Sequence, residues 1–411
     1  MAFTPKIAII GAGPSGLTLA LMLQRNDIPC TIYDLESGPS ARNQGGTLDL
    51  HGDSGQRALR AVGLIDEFYK KARPEGDAMK LITTEGKVLV DENLEVDEPA
   101  RPIEEVGRPE IDRIVLRGML LDALDTNRIS WGKKLLRVEP AKNDTYDLHF
   151  AQEILTGFDL VVGADGAWSK VRPLLTDVSP HYSGISMIEL WALDADTREN
   201  WLSQYVGKGS CFMFDEGRAV LSQRNGNGSI RTYACVRQPE TWIQDCGIDF
   251  TKPDQARTQL VDQYFADCAN EVKREILDSR DELIPRTLYM LPVGLTWDSR
   301  PGLTLLGDAA HLMTPFAGAG VNAAMHDALE LGNAIIACKN GGELDRLDGV
   351  HDRLAAAVKN YQASMFLRSA KDTAKTWKQT HICFSKGGGE ILMDIMGKGG
   401  PPSEEGDAET S

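Results

Sequence analysis

The stretch KIAIIGAGPSGLTLALMLQRNDIPCTIYDLE, residues 6–36, decides the fold. It opens with the β-branched run KIAII, which suits a strand buried on both faces of a parallel sheet. GAGPSG, residues 11–16, interrupts that run with glycine. The segment from Leu17 to Gln24 is apolar and helical, Asn26 and Asp27 end it, and CTIYDLE forms a second strand that finishes on acidic residues. Strand, glycine turn, helix and strand, closed by an acid, make up the βαβ dinucleotide fingerprint in its structural context. Gly11 permits the tight turn, Gly13 lets backbone approach a pyrophosphate, and Gly16 lets the helix pack closely on the strand. Pro14 and Ser15 lie in the loop that opens the helix, whose N-terminus favours phosphate charge. Asp34 is placed to accept hydrogen bonds from an adenosine ribose.

A second glycine-rich stretch, GDAAHLMTPFAGAGVN at 307–322, distinguishes the ligand. A nicotinamide dehydrogenase has no need of it. Extended FAD does, because its ribityl chain and isoalloxazine reach well beyond the first βα turn. Asp308, at the end of a buried strand, can accept hydrogen bonds from ribityl hydroxyls. Pro315, Gly318 and Gly320 let backbone lie beside the ring. A helix beginning at Gly320, Val321 and Asn322 would aim its amides at the flavin N1/O2 edge, which is anionic in reduced flavin. His311 reads as a residue bonded within the turn rather than as a base, and His51 reads the same way. There is no catalytic side chain to assign, because the cofactor carries the hard chemistry.

The remaining chain sets the domain plan. Its 411 residues exceed one compact core, and 42% hydrophobic with 25% charged residues is ordinary for a globular protein. A net charge of −16 leaves no basic surplus to neutralise nucleic-acid phosphates. Seven scattered cysteines, none in a CxxC pair, argue against a disulfide framework or a zinc site. The first apolar run leads directly into the glycine motif and no apolar stretch spans a bilayer, so a cytoplasmic protein without a membrane segment is expected. No obligate protein partner is evident, and no metal spacing appears.

Three segments of one FAD-binding domain are expected, at 1–75, 107–177 and 296–340. Short strands at 76–106 join a mainly β substrate domain at 178–295, where alternation and turn signals such as NGNG dominate. A long helix is expected at 349–380, with Leu354, Val358, Tyr361 and Met365 at helical spacing, followed by a disordered tail at 397–411. The fold class is therefore α/β: a Rossmann-type FAD-binding domain, an inserted β-sheet substrate domain and a long C-terminal bridging helix.

GAGPSG, ADGAWSKVR at 164–172 and GDAAHLMTPFAGAGVN together resemble the three fingerprints of the class A, single-component flavoprotein monooxygenases, the aromatic hydroxylase superfamily. ARNQGGTLDLHGDSGQ at 41–56 and PEIDRIVLRGML at 109–120 are similar to the branch holding the tetracycline-inactivating flavin monooxygenases. The resemblance implies non-covalent FAD, NADPH or NADH as electron donor without a Rossmann domain of its own, and O2 as co-substrate. It implies insertion of one oxygen atom, through a flavin C4a-hydroperoxide, into an aromatic or polycyclic small molecule such as those of secondary metabolism. It also implies that the C-terminal helix braces the two domains. By position, it makes Arg42 a contact for flavin or nicotinamide phosphates, Asp49 a flavin-pocket residue, and Arg117 the arginine at the FAD pyrophosphate. Asp165 and Gly166 match the DG pair implicated in binding FAD and nicotinamide.

For the substrate, Glu189, Trp191, Phe212, Phe214 and Arg231 are the candidates, with Phe212 and Phe214 sharing a strand face by parity. Glu189 and Arg231, taken singly, read as surface residues. Two alternatives stay open on the sequence: a flavin oxidase or dehydrogenase on the same fold, and a non-catalytic FAD-binding carrier. A flavin halogenase would carry a WxWxIP motif, which the sequence lacks.

Overall fold

Ile7–Ile10 runs through the middle of a five-stranded parallel sheet, with all four residues buried. The order is Leu303–Leu305, Leu160–Gly163, Ile7–Ile10, Cys30–Tyr33 and Ile129–Ser130. Such strands need apolar residues on both faces, and IAII, LVVG and LTL supply them. The computed structural model describes residues 5–41, 45–94, 103, 107–340 and 350–397. The chain divides into two compact units. One holds residues up to Pro74, Arg101–Ser183 and Tyr289–Trp377; the other holds Glu75–Ala100, Gly184–Leu288 and the chain from Lys378 on.

In the first unit, the helix Pro14–Arg25 starts with proline at its first turn, where the missing N–H costs nothing. Leu17, Leu19, Ala20, Leu21 and Leu23 are all fully buried, so this helix is packed on more than one side. Each such leucine contributes about 1.5–3 kcal/mol of burial. On one side lies the helix Gly320–Asn340, where a Cβ on Gly332 would fall 2.7 Å from Met22 Sδ. Glycine at 332 sets that spacing. A three-stranded antiparallel sheet, Leu135–Pro140, Tyr146–Phe150 and Ile154–Phe158, completes the unit together with the pair Thr47–Asp49 and Glu110–Asp112.

The long helix spans Val350–Cys383, and Leu354, Val358, Tyr361 and Met365 form its buried stripe. Tyr361 Oη donates to Leu305 O at 2.9 Å, and Gln362 Nε2 to Thr304 Oγ1 at 3.2 Å. The helix is thereby fastened along the edge strand of the parallel sheet. A shorter helix, Gly388–Gly397, follows, so Gly397 closes a helix rather than opening a tail; residues 398–411 lie outside the described residues.

The second unit is built on a seven-stranded sheet. Its order is Leu283–Met290, His181–Ala192, Ile230–Arg237, Arg218–Arg224, Ser210–Asp215, Met79–Ile82 and Val88–Asp91. One face carries Ile188, Leu190, Ile230, Ala234, Val220 and Met213 into a buried cluster. The expected sheet is present, and that face is covered by helices that the reading of a mainly β region did not include. Asn200–Val206, Pro253–Tyr264 and Asn270–Leu277 are helical, and Leu260, Val261, Phe265, Val272 and Ile276 seal the cluster. The physical reason is the sheet's need for an apolar cover. The helix signal was present in Pro253 at the first turn and in the Val272/Ile276 spacing.

Candidate cofactor site

The two outer glycines of GAGPSG serve the fold and the middle one does not. Gly11 has φ +108°, and a Cβ there would lie 2.3 Å from Ala164 O. A Cβ on Gly16 would lie 2.1 Å from Gly11 O. Around a Cβ on Gly13 there is no atom within 4 Å, so its bareness answers no packing demand among the described residues. Leu17 N–H makes the first intrahelical bond, to Gly13 O at 3.0 Å. The amides of Ser15 and Gly16 therefore stand ahead of the helical ladder, while Pro14 has none to offer.

Asp34 serves the turn itself. Its carboxylate is buried and spans the turn, accepting Ala12 N–H at 2.6 Å on Oδ2 and Glu36 N–H at 2.8 Å on Oδ1. A buried carboxylate requires such partners, and with one amide on each oxygen it keeps acceptor capacity that a ribose hydroxyl could use. Arg117 is not a solvated charge. It is buried, and donates to Ala12 O at 3.1 Å, Pro39 O at 2.7 Å and Glu36 Oε2 at 2.9 Å. Three of its five N–H groups thus hold the first glycine loop and the segment after the second strand. Glu36, which the sequence reading passed over, is its ionic partner. Arg42 lies outside the described residues.

At the second glycine stretch, Gly307 (φ +55°) turns the chain out of the strand Leu303–Leu305 into the short helix Asp308–His311. The Asp308 carboxylate is exposed and makes no hydrogen bond among the described residues. His311 is buried, with Nε2 2.6 Å from Asp327 Oδ2. Burial alone would lower its pKa, but the Asp327 carboxylate overrides that and raises it. Pro315 is exposed, and Gly318 (φ +63°) is pressed against Asp49, whose Oδ1 would be 3.0 Å from a Cβ there. Gly320 has open space where a Cβ would stand. Ala323 N–H bonds Ala319 O at 2.9 Å, which leaves the amides of Gly320, Val321 and Asn322 ahead of the first intrahelical bond.

The Asn322 side chain is occupied. It donates to Asp49 O at 2.8 Å and accepts His51 N–H at 2.8 Å, tying the strand Thr47–Asp49 to the helix start. Asp49 in turn is paired with His51 Nε2 at 3.0 Å. Asp165 follows the strand Leu160–Gly163, and its Cα would be 3.1 Å from a Cβ on Gly11. Its Oδ2 accepts Lys170 N–H at 2.7 Å, whereas Oδ1 is buried without a hydrogen-bond partner among the described residues, and burial raises its pKa. Gly166 (φ +77°) leaves open space beside it.

These observations fit an extended dinucleotide. Among the described residues two helix starts offer amides outside the helical ladder, Gly13 and Gly320 leave open ground that a side chain could have filled, and a buried carboxylate oxygen lacks a partner. Among the described residues no group of three or more His, Cys, Asp or Glu is placed to hold a metal ion, and no helix is long and apolar enough to cross a membrane. All seven cysteines are free, and all but Cys246 are buried.

In the second unit, the sheet face opposite the helices brings the five substrate candidates onto one side. Glu189 is 2% exposed, which corrects its reading as a surface residue. It accepts the Trp191 indole N–H at 3.0 Å, pairs with Arg231 at 2.5 Å, and is bonded by Arg286. Burial would raise the Glu189 pKa; the Arg286 and Arg231 guanidiniums hold it below the usual range instead. The Arg231 guanidinium lies over the Trp191 and Tyr233 rings, at 4.9 and 5.0 Å. Phe212 and Phe214 share this face, with ring centroids 5.8 Å apart. Arg286 and Tyr233 escaped the sequence reading. The register that sets Glu189 opposite Tyr233 and Trp191 opposite Arg231 is long-range and unreadable from either strand alone.

A βαβ glycine turn with an open phosphate side, joined to a second glycine loop that feeds a bare helix start, defines an FAD-binding oxidoreductase. The chain belongs to the FAD binding domain family, which matches residues 4–364. It is an FAD-dependent monooxygenase of the class A, aromatic hydroxylase type. It is 30% identical to the monooxygenase penA of Penicillium thymicola, over 95% of this chain and 98% of that protein. Among solved structures it is similar to HpxO of Klebsiella pneumoniae complexed with FAD and uric acid, with a TM-score of 0.71 and 22% identity over 96% and 92% of the two chains. The tetracycline destructase Tet(51) is similar with a TM-score of 0.65 and 16% identity over 97% and 95%. At those identities the two structures speak for the fold alone.

Proposed function

We propose that this monooxygenase takes electrons from NADPH or NADH and inserts one oxygen atom from O2 into an aromatic or polycyclic small molecule. When bound, FAD supplies the redox and oxygen chemistry. The chain's own residues bind and orient. The amides of Ser15 and Gly16, with bare Gly13 beside them, would hold the pyrophosphate at a helix N-terminus. Arg117 would shape that loop from behind, since its donors are largely committed to Ala12, Pro39 and Glu36. The Asp308 carboxylate would accept hydrogen bonds from the ribityl chain. Amides at Gly320, Val321 and Asn322 would favour negative charge on the edge of the ring.

For the substrate, Trp191, Phe212 and Phe214 provide an apolar aromatic face that suits a planar ligand and excludes water. The Glu189–Arg231 pair would give that face its polar anchor. The carrying observation is the bare helix start at Gly320–Asn322, which a carrier that merely held FAD would not require.

The test is an anaerobic absorbance spectrum of the purified protein, recorded after adding NADPH and then NADH, and again after admitting air. Flavin bands that bleach with either donor and return with air support the reading. A protein that stays colourless with added FAD overturns it, and a yellow protein unaffected by both donors overturns the donor assignment.

A further inference from the structure

The buried carboxylate of Asp327 belongs to none of the sequence motifs, yet it holds the second glycine stretch together. Its Oδ2 accepts Gly307 N–H at 3.0 Å and is 2.6 Å from His311 Nε2. Its Oδ1 accepts Arg368 Nη2 at 3.0 Å. Asp327 is 2% exposed, and a carboxylate so buried demands charged and hydrogen-bonded partners. Its partners are the Arg368 guanidinium, the His311 imidazole and one backbone amide. Arg368, on the long C-terminal helix, is itself held by Glu330 and Ser364 Oγ.

The partners show what is being held. Gly307 immediately precedes Asp308, the exposed carboxylate assigned above to the ribityl chain. Asp327 lies on the Gly320 helix, two turns beyond the bare amides assigned to the ring. A Cβ on Gly307 would come 2.8 Å from Ala324 Cβ and 3.4 Å from Ser15 Oγ, so the turn is also wedged between that helix and the first glycine loop. Packing sets how closely the turn approaches, and hydrogen bonds give it direction: Leu306 N–H to Gly163 O at 2.8 Å and Arg172 Nη1 to Ala309 O at 3.0 Å hold it to the sheet side, while the Asp327 bonds tie Gly307 and His311 to the Gly320 helix.

We infer that Asp327 is a positioning residue for the cofactor: it fixes the Asp308 carboxylate in register with the helix-start amides, so that one ligand can use both. This rests on the FAD reading above. Asp327 is buried behind Gly307, so on this reading its effect on binding passes through Asp308. A residue that only supported the fold would lower FAD affinity whether or not residue 308 could bond.

The experiment is a double-mutant cycle on FAD affinity, read by flavin fluorescence on titrating apoprotein well below its melting temperature. Asp308→Asn and Asp327→Asn are each expected to weaken binding about ten-fold, the scale of one charge-assisted hydrogen bond. In the Asp308→Asn background, Asp327→Asn is expected to have an effect of less than about two-fold, because coupled sites are not additive. Equal weakening by Asp327→Asn in both backgrounds, or unchanged affinity, overturns the inference. Should Asp327→Asn fail to fold, Arg368→Met removes the guanidinium behind the carboxylate and runs the same cycle with the same criteria. Wild-type apoprotein that does not take up FAD would refute the functional reading itself, which separates the two failures.

Discussion

Replacing Gly13 and Gly16 separately by alanine divides the glycine motif into a part for the fold and a part for the ligand. Gly16→Ala drives a methyl group to 2.1 Å from Gly11 O, a backbone atom that cannot give way without moving the strand Ile7–Ile10 or the helix Pro14–Arg25. Overpacking against a fixed neighbour costs about 1–3 kcal/mol, and a contact this short belongs at the upper end. Gly13→Ala meets no atom within 4 Å, and Gly13 sits at φ −77° and ψ 175°, where alanine is at ease. The apoprotein should therefore keep its melting temperature, within the change expected from about 0.5 kcal/mol for a substitution free of strain. FAD binding should suffer, because the methyl group holds the pyrophosphate away from the Ser15 and Gly16 amides. Loss of a hydrogen bond to a charged group costs about 1.5–3 kcal/mol, hence roughly a ten- to hundred-fold weaker complex. Thermal unfolding of the two apoproteins and fluorescence titration with FAD read the two effects apart. If Gly13→Ala unfolds as early as Gly16→Ala, or binds FAD as wild type does, the division is wrong.

Two further predictions concern pH. Glu275 is fully buried beneath the seven-stranded sheet, with Oε1 3.9 Å from Cys211 Sγ and Oε2 without a partner among the described residues, and burial pushes its pKa up to about 8. The folded state thus keeps a proton that the unfolded chain releases near pH 4.5, so stability falls as pH rises from 4.5 to 8, by on the order of 5 kcal/mol. Glu275→Gln should lose that slope, and its advantage over wild type in chemical denaturation should widen across the window; parallel curves would refute it. His311 has the opposite charge type and a raised pKa. Its stabilisation through Asp327 is complete below about pH 6.5 and is lost as pH rises through the folded value. His311→Gln should flatten that part of the wild-type profile above pH 6.5, while an unchanged slope would remove the ion pair from the account.

The parallel sheet, its two glycine turns and the long C-terminal helix were legible because each is written in consecutive residues. IAII, LVVG and LTL need burial on both faces, and Leu354, Val358, Tyr361 and Met365 recur at the helical period. The helices at Asn200–Val206, Pro253–Tyr264 and Asn270–Leu277 were missed for a physical reason. Their polar faces dilute the apolar stripe, and what makes them helices is the Ile188–Leu190–Val220 face that they cover. The same holds for Glu189. A glutamate in a strand reads as solvent-facing until two arginines and an indole from neighbouring positions make its burial tolerable.

Within the site, sequence spacing identified the residues that leave room, and not those that hold the room's shape. Gly13, Gly166 and Gly320 stand out as glycines in any reading, and space is indeed open at each. Asp34 and Arg117 stood out as charges, and each was expected to face a ligand; both also satisfy backbone, because at this depth an amide or carbonyl cannot be left without a partner. Asp327 and Glu36 did not stand out, although the loops depend on them, since an acid within a helix or just beyond a strand has no signature. The division follows from what each job demands. Leaving space requires one residue type at one position, which a sequence displays. Holding a loop requires only a suitable atom within about 3 Å, and many positions in the chain could have supplied it.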